Sequence, residues 1–153
     1  ILNSFAINKI NFVKESLDTF RSSTIVLCID VKKTFFRKKD YVYIRNGKEA
    51  TRYTPVELAK IAQDKGAGEI IIQSINKDGT MAGFDLDLIK SISDSVTIPT
   101  VALGGCRNME DCKSVYKNGR VNGIAAGSFF VYQGLNKGVL INYPSREDII
   151  KIV

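Results

Sequence analysis

Four short apolar runs, each closed by polar or glycine residues, dominate the hydrophobic pattern of the chain. They cover residues 24–30, 69–75, 98–103 and 121–126, and β-branched side chains are frequent in them. Their apolarity is nearly continuous rather than alternating, which is typical of parallel strands that are covered on both faces. The pattern therefore predicts a parallel sheet built from these four strands.

Helix signals lie between the apolar runs. The segment Thr54-Pro55-Val56-Glu57 is a capping box with proline at the first helical position. Asp85 and Asn108 are predicted to cap two further helices, and Gly119 to end the second of them. Apolar residues at helical spacing between positions 10 and 20 indicate one more helix before the first complete strand. The alternation of strand and helix predicts an α/β fold.

The stretch between Asp30 and Thr54 is too long for a plain connection from strand to helix. Within it, Tyr41-Val42-Tyr43-Ile44 is followed by Asn46-Gly47, a combination that predicts a small hairpin. We therefore expect an inserted hairpin near residues 38–50, at the end of a strand, where α/β folds commonly build their sites.

The number of strand–helix units limits the possible architectures. Four units are too few for a closed (β/α)8 TIM barrel, which needs about 250 residues. The opening Ile1-Leu2-Asn3-Ser4 is typical of the tail of a further strand. We expect residues 1–153 to be the carboxyl-terminal half of a single TIM-barrel domain. The amino-terminal half would come from elsewhere in the protein or from another chain, and self-association is the alternative.

The composition excludes several kinds of chemistry. The chain has no histidine, so a Ser-His-Asp triad, a Cys-His dyad and a histidine metal site are all ruled out. Its three cysteines, Cys28, Cys106 and Cys112, are too few and too scattered for a zinc ribbon, and they indicate reduced thiols in a cytoplasmic protein. Cys28 and Cys112 occupy apolar positions and are expected to be core residues. No motif indicates a metal or an organic cofactor.

The net charge of +6 raises the question of a nucleic-acid partner. Basic residues cluster between Lys32 and Lys39, but Asp40 and Glu49 interrupt the patch and no nucleic-acid motif is present. A solvated face, or a surface that attracts phosphorylated small molecules, fits this pattern better. No apolar run reaches the length of a membrane span, and no signal peptide is recognisable, so no membrane partner is expected.

Residues with possible chemistry close all four predicted strands, where parallel α/β folds gather their ligands. Asp30 could be a general acid or base, or it could cap a helix or pair with Lys32 or Lys33. The other strand ends carry Asp78-Gly79-Thr80, Gly104-Gly105 and Gly127-Ser128. Glycines let backbone N–H groups approach phosphate oxygens, although turns that need a positive φ explain either glycine pair equally well. Asp78-Gly79 is also a common turn dipeptide.

A family resemblance rests on several blocks of this sequence, in the same order and spacing. The blocks are Ile29-Asp30-Val31-Lys32, Gly66-Ala67-Gly68-Glu69-Ile70, Ser74-Ile75-Asn76-Lys77-Asp78-Gly79-Thr80, Gly83-Phe84-Asp85 and Gly104-Gly105. With them the chain resembles the cyclase subunit of imidazole glycerol phosphate synthase up to about Tyr132. The resemblance implies a (β/α)8 barrel, of which this chain would run from the end of strand 4 through strand 8.

The resemblance also implies a reaction and a partner. In that family a glutaminase subunit releases ammonia, which crosses the barrel and attacks a phosphoribulosyl-formimino aminoimidazole carboxamide ribonucleotide. The products are imidazole glycerol phosphate and aminoimidazole carboxamide ribotide, a lyase step of histidine biosynthesis. This chain would then be one subunit of a cytoplasmic heterodimer that takes a doubly phosphorylated substrate.

The resemblance assigns roles to individual residues. Asp30 matches one of two catalytic aspartates, and Glu69 matches a charged residue at the ammonia entrance on the opposite face. A larger set matches positions around the substrate and its two phosphates: Asn3, Ser4, Gln73, Asp78, Gly79, Gly104, Gly105, Gly127 and Ser128.

Departures from the family pattern leave the substrate open. The family usually has threonine where Gln73 stands, serine where Leu103 stands and histidine where Val131 stands. The tail at 138–144 resembles second-copy paralogs of surface-polysaccharide loci, which are proposed to convey ammonia to a sugar amidotransferase. That non-catalytic role is the main alternative to the cyclase. A third and more distant alternative is a related ribonucleotide isomerase. The block at Glu69 argues against it, since an isomerase has no need of an ammonia entrance.

Overall fold

The computed structural model describes residues 1–20, 25–34, 40–133, 138–141 and 143–152. The helices are α1 (Ser4–Asn8), α2 (Asn11–Thr19), α3 (Pro55–Asp64), α4 (Leu86–Ser93), α5 (Met109–Gly119), α6 (Ser128–Val131) and α7 (Arg146–Ile150). The strands are β1 (Val26–Lys32), β2 (Tyr41–Ile44), β3 (Glu49–Ala50), β4 (Glu69–Ser74), β5 (Thr100–Leu103), β6 (Gly123–Ala125), β7 (Tyr132–Gln133) and β8 (Gly138–Val139).

A six-stranded sheet in the order β3-β2-β1-β4-β5-β6 forms the centre of the fold. Strands β1, β4, β5 and β6 are parallel. Strands β4, β5 and β6 fall within the last three apolar runs, whereas β1 begins inside the first run and extends beyond it to Lys32. The first run also includes Thr24, which lies outside the described residues. Strand β2 pairs antiparallel with the carboxyl-terminal half of β1, while Leu2 forms a parallel bridge with Leu27 near its start. The chain therefore places the carboxyl ends of four parallel strands side by side.

The two faces of this sheet differ in burial. Alternate strand residues such as Leu27, Ile70 and Ala102 are fully buried in one apolar core with residues of α3, α4 and α5. Their neighbours on the other face, including Ile71 and Val101, are only partly buried. The apolar runs predict cover on both faces, and within the described residues the second face has it only in part. This half-buried face carries Asp30, Gln73 and Leu103.

The predicted helix caps are present. Thr54 and Glu57 form the complete capping box at α3, and the side chains of Asp85 and Asn108 accept hydrogen bonds from the first turns of α4 and α5. Gly119 is not the left-handed stop that the sequence suggests. It is the last residue of α5, and Arg120 after it adopts φ +55°.

Packing explains the glycine at position 119. A Cβ there would lie 3.0 Å from Cγ2 of Ile89 and 3.2 Å from Cγ2 of Val115, so the crossing of α4 and α5 leaves little room for a side chain. The sequence therefore predicts the end of α5 correctly. The glycine stands there because the packing leaves little room for a side chain, and not because the position needs a positive φ.

Strands β2 and β3 form an antiparallel hairpin in the stretch where the sequence predicts an insertion. Its turn places Arg45, Asn46 and Gly47 at positive φ, which asparagine and glycine adopt most readily. Residues 38 and 39 of the predicted segment lie outside the described residues. Within the described part of the chain, no helix is long and apolar enough to cross a membrane.

Candidate active site at the carboxyl ends of the strands

Asp30 lies at the carboxyl end of β1, on the half-buried face of the sheet. Its Oδ1 accepts hydrogen bonds from Nδ2 of Asn3 at 3.2 Å and from Sγ of Cys28 at 3.4 Å. The alternative pairing with a neighbouring lysine is not what the structure shows. Lys33 pairs with Asp85 at 2.9 Å, and no ion pair within the described ranges includes Asp30. The carboxylate is therefore held by neutral donors and faces the inner side of the sheet.

Gln73 lies between Cys28, which contacts Asp30, and the loop that follows β4. Its Nε2 donates to Oδ2 of Asp78 at 3.2 Å, and its Oε1 lies 3.9 Å from Sγ of Cys28. Asp78 also lies in the predicted turn, since the backbone N–H of Thr80 donates to the carbonyl of Lys77 at 3.1 Å and encloses Asp78 and Gly79. Asp78 therefore takes part in the turn and also accepts a hydrogen bond from Gln73, and its role in binding a ligand stays a prediction.

Cys28 is the site residue that the sequence analysis treated only as core. It stands two positions before Asp30, so the period of two along a strand already places both side chains on one face. Burial, and then the neighbouring carboxylate of Asp30, raise the pKa of Cys28 to about 12. The thiol therefore keeps its proton at neutral pH and acts as a donor to Asp30.

Asn3 and Ser4 connect this hydrogen-bond network to the turn of the β2–β3 hairpin. Ser4 Oγ donates to Oδ1 of Asn3 at 3.0 Å and accepts from the backbone N–H of Arg45 at 3.0 Å. Asn3 in turn donates to Asp30. A shift of the β2–β3 turn would therefore be transmitted to the carboxylate through Asn3 and Ser4.

The predicted phosphate residues line one cleft beside this network, which we call the glycine cleft. It is lined by Asp78, Gly79, Met81, Leu103, Gly104, Gly105, Cys106, Ala126, Gly127 and Ser128. Its volume is about 10 Å³, room for about one water-sized group. Oxygen atoms of a ligand fit it, while the body of a ligand would lie outside, towards Asp30.

The positions of this cleft differ in what requires a glycine there. Gly104 and Gly105 have φ of +98° and +104°, and a Cβ on Gly105 would overlap the carbonyl oxygen of Gly83. Gly127 has φ −111°, and no heavy atom of the described residues lies within 4 Å of the place its Cβ would take. Within the described part of the chain, neither backbone strain nor packing requires a glycine at position 127. A ligand that approaches the backbone closely would require one.

Glu69 lies at the other end of the same face. It is the first residue of β4 and pairs in register with Val26. Gln73 is four residues further along this strand, which corresponds to about 13 Å. Glu69 is thus separated from Asp30 and the glycine cleft by the length of the strand, with Ile71 between them on the same face.

Comparison with known proteins shows to which family the chain belongs. Residues 1–136 match the family model described as "Histidine biosynthesis protein". The chain belongs to this family. It is 40% identical over 148 residues to the putative imidazole glycerol phosphate synthase subunit HisF of Leptospira interrogans, covering 97% of this chain and 58% of that protein.

Two further relatives are also named as imidazole glycerol phosphate synthase subunits, one as hisF2 and the other as HisF. The chain is 34% identical over 143 residues to the putative subunit hisF2 of Pseudomonas aeruginosa, covering 94% of this chain and 57% of that protein. It is 40% identical over 128 residues to imidazole glycerol phosphate synthase subunit HisF of Petrotoga mobilis, covering 84% and 51%. The chain thus spans a little over half the length of these HisF proteins.

Membership in the histidine biosynthesis protein family explains the partly buried face of the sheet. The family fold is a TIM barrel, and this chain contributes half of such a barrel, as the sequence predicts. The partly buried face corresponds to the barrel interior. The residues around Asp30 and the glycine cleft lie at the end of the barrel where enzymes of this fold carry their active sites.

Proposed function

We propose that the full-length protein is a cyclase of the imidazole glycerol phosphate synthase type. It would use ammonia to convert a phosphoribulosyl-formimino aminoimidazole carboxamide ribonucleotide to imidazole glycerol phosphate and aminoimidazole carboxamide ribotide. The observation that supports this most directly is the position of Asp30, oriented by Asn3 and Cys28 beside the glycine cleft. A fixed carboxylate next to a recess that admits the oxygen atoms of a ligand suits proton transfer on a bound phosphorylated substrate.

Each part of the site has a role in this proposal. Asp30 moves protons as one of the two acid–base carboxylates. The backbone around Gly104, Gly105 and Gly127, with the hydroxyl of Ser128, binds phosphate oxygens. Asn3 and Ser4 fix the position of the carboxylate and so determine where protons are exchanged.

The partner in this proposal is a glutaminase subunit that docks at the amino ends of the strands, at Glu69. Ammonia would pass along the inner face, over Ile71 and Val101, to the carboxyl ends. Those side chains are apolar and only partly buried within the described chain, and an uncharged molecule crosses such a layer at lower cost than an ion does. Reaction in the cytoplasm and a role in histidine biosynthesis belong to the same proposal.

A second candidate function is favoured by Gln73 and Leu103. The amide of Gln73 is held by Asp78, and the side chain of Leu103 lines the glycine cleft, so polar groups that the cyclase family usually offers there are replaced. In this alternative the protein conveys ammonia, with the glutaminase, to a sugar amidotransferase of surface-polysaccharide biosynthesis.

Turnover of the formimino substrate with saturating ammonium salt tests the primary proposal. The full-length protein should convert it, and Asp30→Asn should lower kcat by about a hundredfold to ten-thousandfold, the usual contribution of a general acid–base group. The matched control is Asp64→Asn, the same change at an exposed position at the end of α3, which should leave turnover intact.

One outcome would contradict the cyclase, and another would contradict the role of Asp30. If the folded wild-type protein turns over no substrate with ammonium salt, the ammonia-conveying function is favoured. It would then be tested by glutamine-dependent amidination of a nucleotide-linked sugar in the presence of the amidotransferase. If Asp30→Asn and Asp64→Asn have equal activity, Asp30 has no part in the chemistry.

A further inference from the structure

Two of the three cysteines are in direct contact, and one of them, Cys106, lines the glycine cleft. Cys106 follows Gly104-Gly105 in the chain, and Cys112 lies in the first half of α5. Their Sγ atoms are 3.3 Å apart, and the two residues are only 4% and 6% exposed. A disulfide has an S–S length of about 2.05 Å, so the sulfurs need to approach by about a further 1.2 Å.

The turn between the two cysteines is fixed by its own hydrogen bonds. The side chain of Asn108 accepts from the backbone N–H of Asp111 at 2.9 Å and caps α5. The carboxylate of Asp111 accepts from the backbone N–H of Arg107 at 3.0 Å and pairs with its guanidinium at 3.3 Å. These contacts hold Cys106 against α5 before any covalent bond forms, so little chain entropy has to be lost when the sulfurs join.

The contact also makes one thiol the better nucleophile. The contact lowers the pKa of Cys112 and raises that of Cys106, because a hydrogen bond between the two sulfurs, in which either sulfur can be the donor, stabilises one thiolate at the expense of the other. Small molecules have a route to this sulfur. Cys112 borders an apolar cavity of about 390 Å³, which is also lined by Tyr143 and Ile149.

A metal site is the other use of paired cysteines. Within the described ranges, however, no group of three or more histidine, cysteine, aspartate or glutamate side chains could hold a metal ion. The pair therefore offers two sulfurs and no further ligand from this part of the chain.

We propose that Cys106 and Cys112 are a modification site that forms a reversible disulfide with a peroxide as oxidant. The thiolate of Cys112 attacks one oxygen of hydrogen peroxide, the O–O bond breaks, and a sulfenic acid and hydroxide result. The sulfur of Cys106 then attacks the sulfenic sulfur, and the second hydroxide leaves. The protons of the two thiols convert both hydroxides to water. Overall, two thiols and one peroxide give one disulfide and two waters, and a dithiol reductant reverses the reaction.

The bond would act on the glycine cleft through Cys106. Drawing Cys106 towards α5 pulls on Gly104-Gly105, a loop packed so closely that a Cβ on Gly105 would overlap the carbonyl oxygen of Gly83. The N–H groups of this loop would then lose their alignment. The effect on ligand binding rests on the proposed function, whereas formation of the disulfide does not.

The test oxidises the full-length protein with hydrogen peroxide and maps its peptides by mass spectrometry without reduction. We expect a linked peptide pair that joins Cys106 to Cys112, with a loss of two hydrogen atoms, and its return to free thiols with dithiothreitol. Cys28→Ser, the control that removes only the third thiol, should still form the link, and Cys112→Ser should not. Separate, unlinked Cys106 and Cys112 peptides in the oxidised wild-type protein would overturn the proposal.

Titration with inorganic phosphate before and after oxidation measures the consequence. Misalignment of one or two N–H donors should weaken phosphate binding about tenfold. If the reduced protein binds phosphate and its affinity does not change when the link forms, the proposed effect of the disulfide on the cleft is wrong. If the link forms and neither form binds phosphate, the disulfide stands and the proposed phosphate site fails.

Discussion

Replacing Gly127 and Gly105 with alanine, one at a time, should separate a glycine kept for a ligand from a glycine kept for the fold. Both residues line the glycine cleft. They differ in backbone conformation and in their surroundings, so the same added methyl group has opposite consequences at the two positions.

The magnitudes follow from the geometry. At Gly105, φ is +104° and the new Cβ would overlap the carbonyl oxygen of Gly83, whose N–H donates to the carbonyl of Gly105 at 2.8 Å. A non-glycine residue at positive φ costs about 1–2 kcal/mol before any overlap, so we expect a loss of about 3 kcal/mol. At Gly127, apart from its two chain neighbours, no atom of the described residues lies within 4 Å of the new methyl group. The entropic gain from alanine and the weaker N-cap of α6 nearly cancel, so stability should change by about 0.5 kcal/mol or less.

Two assays on the full-length protein read these effects separately. Denaturant unfolding gives the free energy of unfolding of each variant, and calorimetric titration with inorganic phosphate gives its affinity. Gly127→Ala should unfold like the wild type and bind phosphate at least about tenfold more weakly, because its methyl group occupies the path of the ligand oxygens.

One pair of results would refute this reasoning. Wild-type phosphate affinity in Gly127→Ala would show that no ligand approaches the backbone there. Equal destabilisation of both variants would show that position 127 is constrained by the fold after all, and that the open space above it has no functional meaning.

Three further predictions follow from the same face of the sheet. Glu69→Gln should lower glutamine-dependent turnover and leave ammonia-dependent turnover unchanged; equal effects on both would count against a glutaminase at that end. Burial and the neighbouring Asp30 raise the pKa of Cys28 to about 12 from 9.0, so its alkylation at pH 8 should be about a thousandfold slower than that of an ordinary thiol and rise tenfold per pH unit. A rate equal to that of the denatured protein would contradict both the burial of this thiol and its contact with Asp30. The double change Gln73→Thr with Leu103→Ser should raise phosphate affinity by restoring hydroxyl groups to the cleft; unchanged or weaker binding would remove these residues as the cause of a changed substrate.

The four parallel strands, the inserted hairpin and helices α2 to α5 were predictable from sequence because their signals are local. The capping box at Thr54 and the apolar run ending at Asp30 each contain the information that forms them. The grouping of glycines into one cleft was also predictable, since the ends of parallel strands meet at one edge. The contact between Cys28 and Gln73 was not, because it depends on how β1 and β4 align, which neither strand specifies alone.

The alignment of the strands finally suggests how a substrate could change while ammonia delivery stays the same. Asp30, Gln73, Leu103 and Ala125 pair in register across β1, β4, β5 and β6, and they form one row on the inner face. The row below contains Ile71, Val101 and Gly123, and apart from Cys28 at its end it offers no polar side chain. The departures at Gln73 and Leu103 lie in the upper row, and the row below them keeps the apolar passage. Substitutions in the upper row should therefore alter which phosphorylated molecule is bound, without altering the layer over which we propose that ammonia travels.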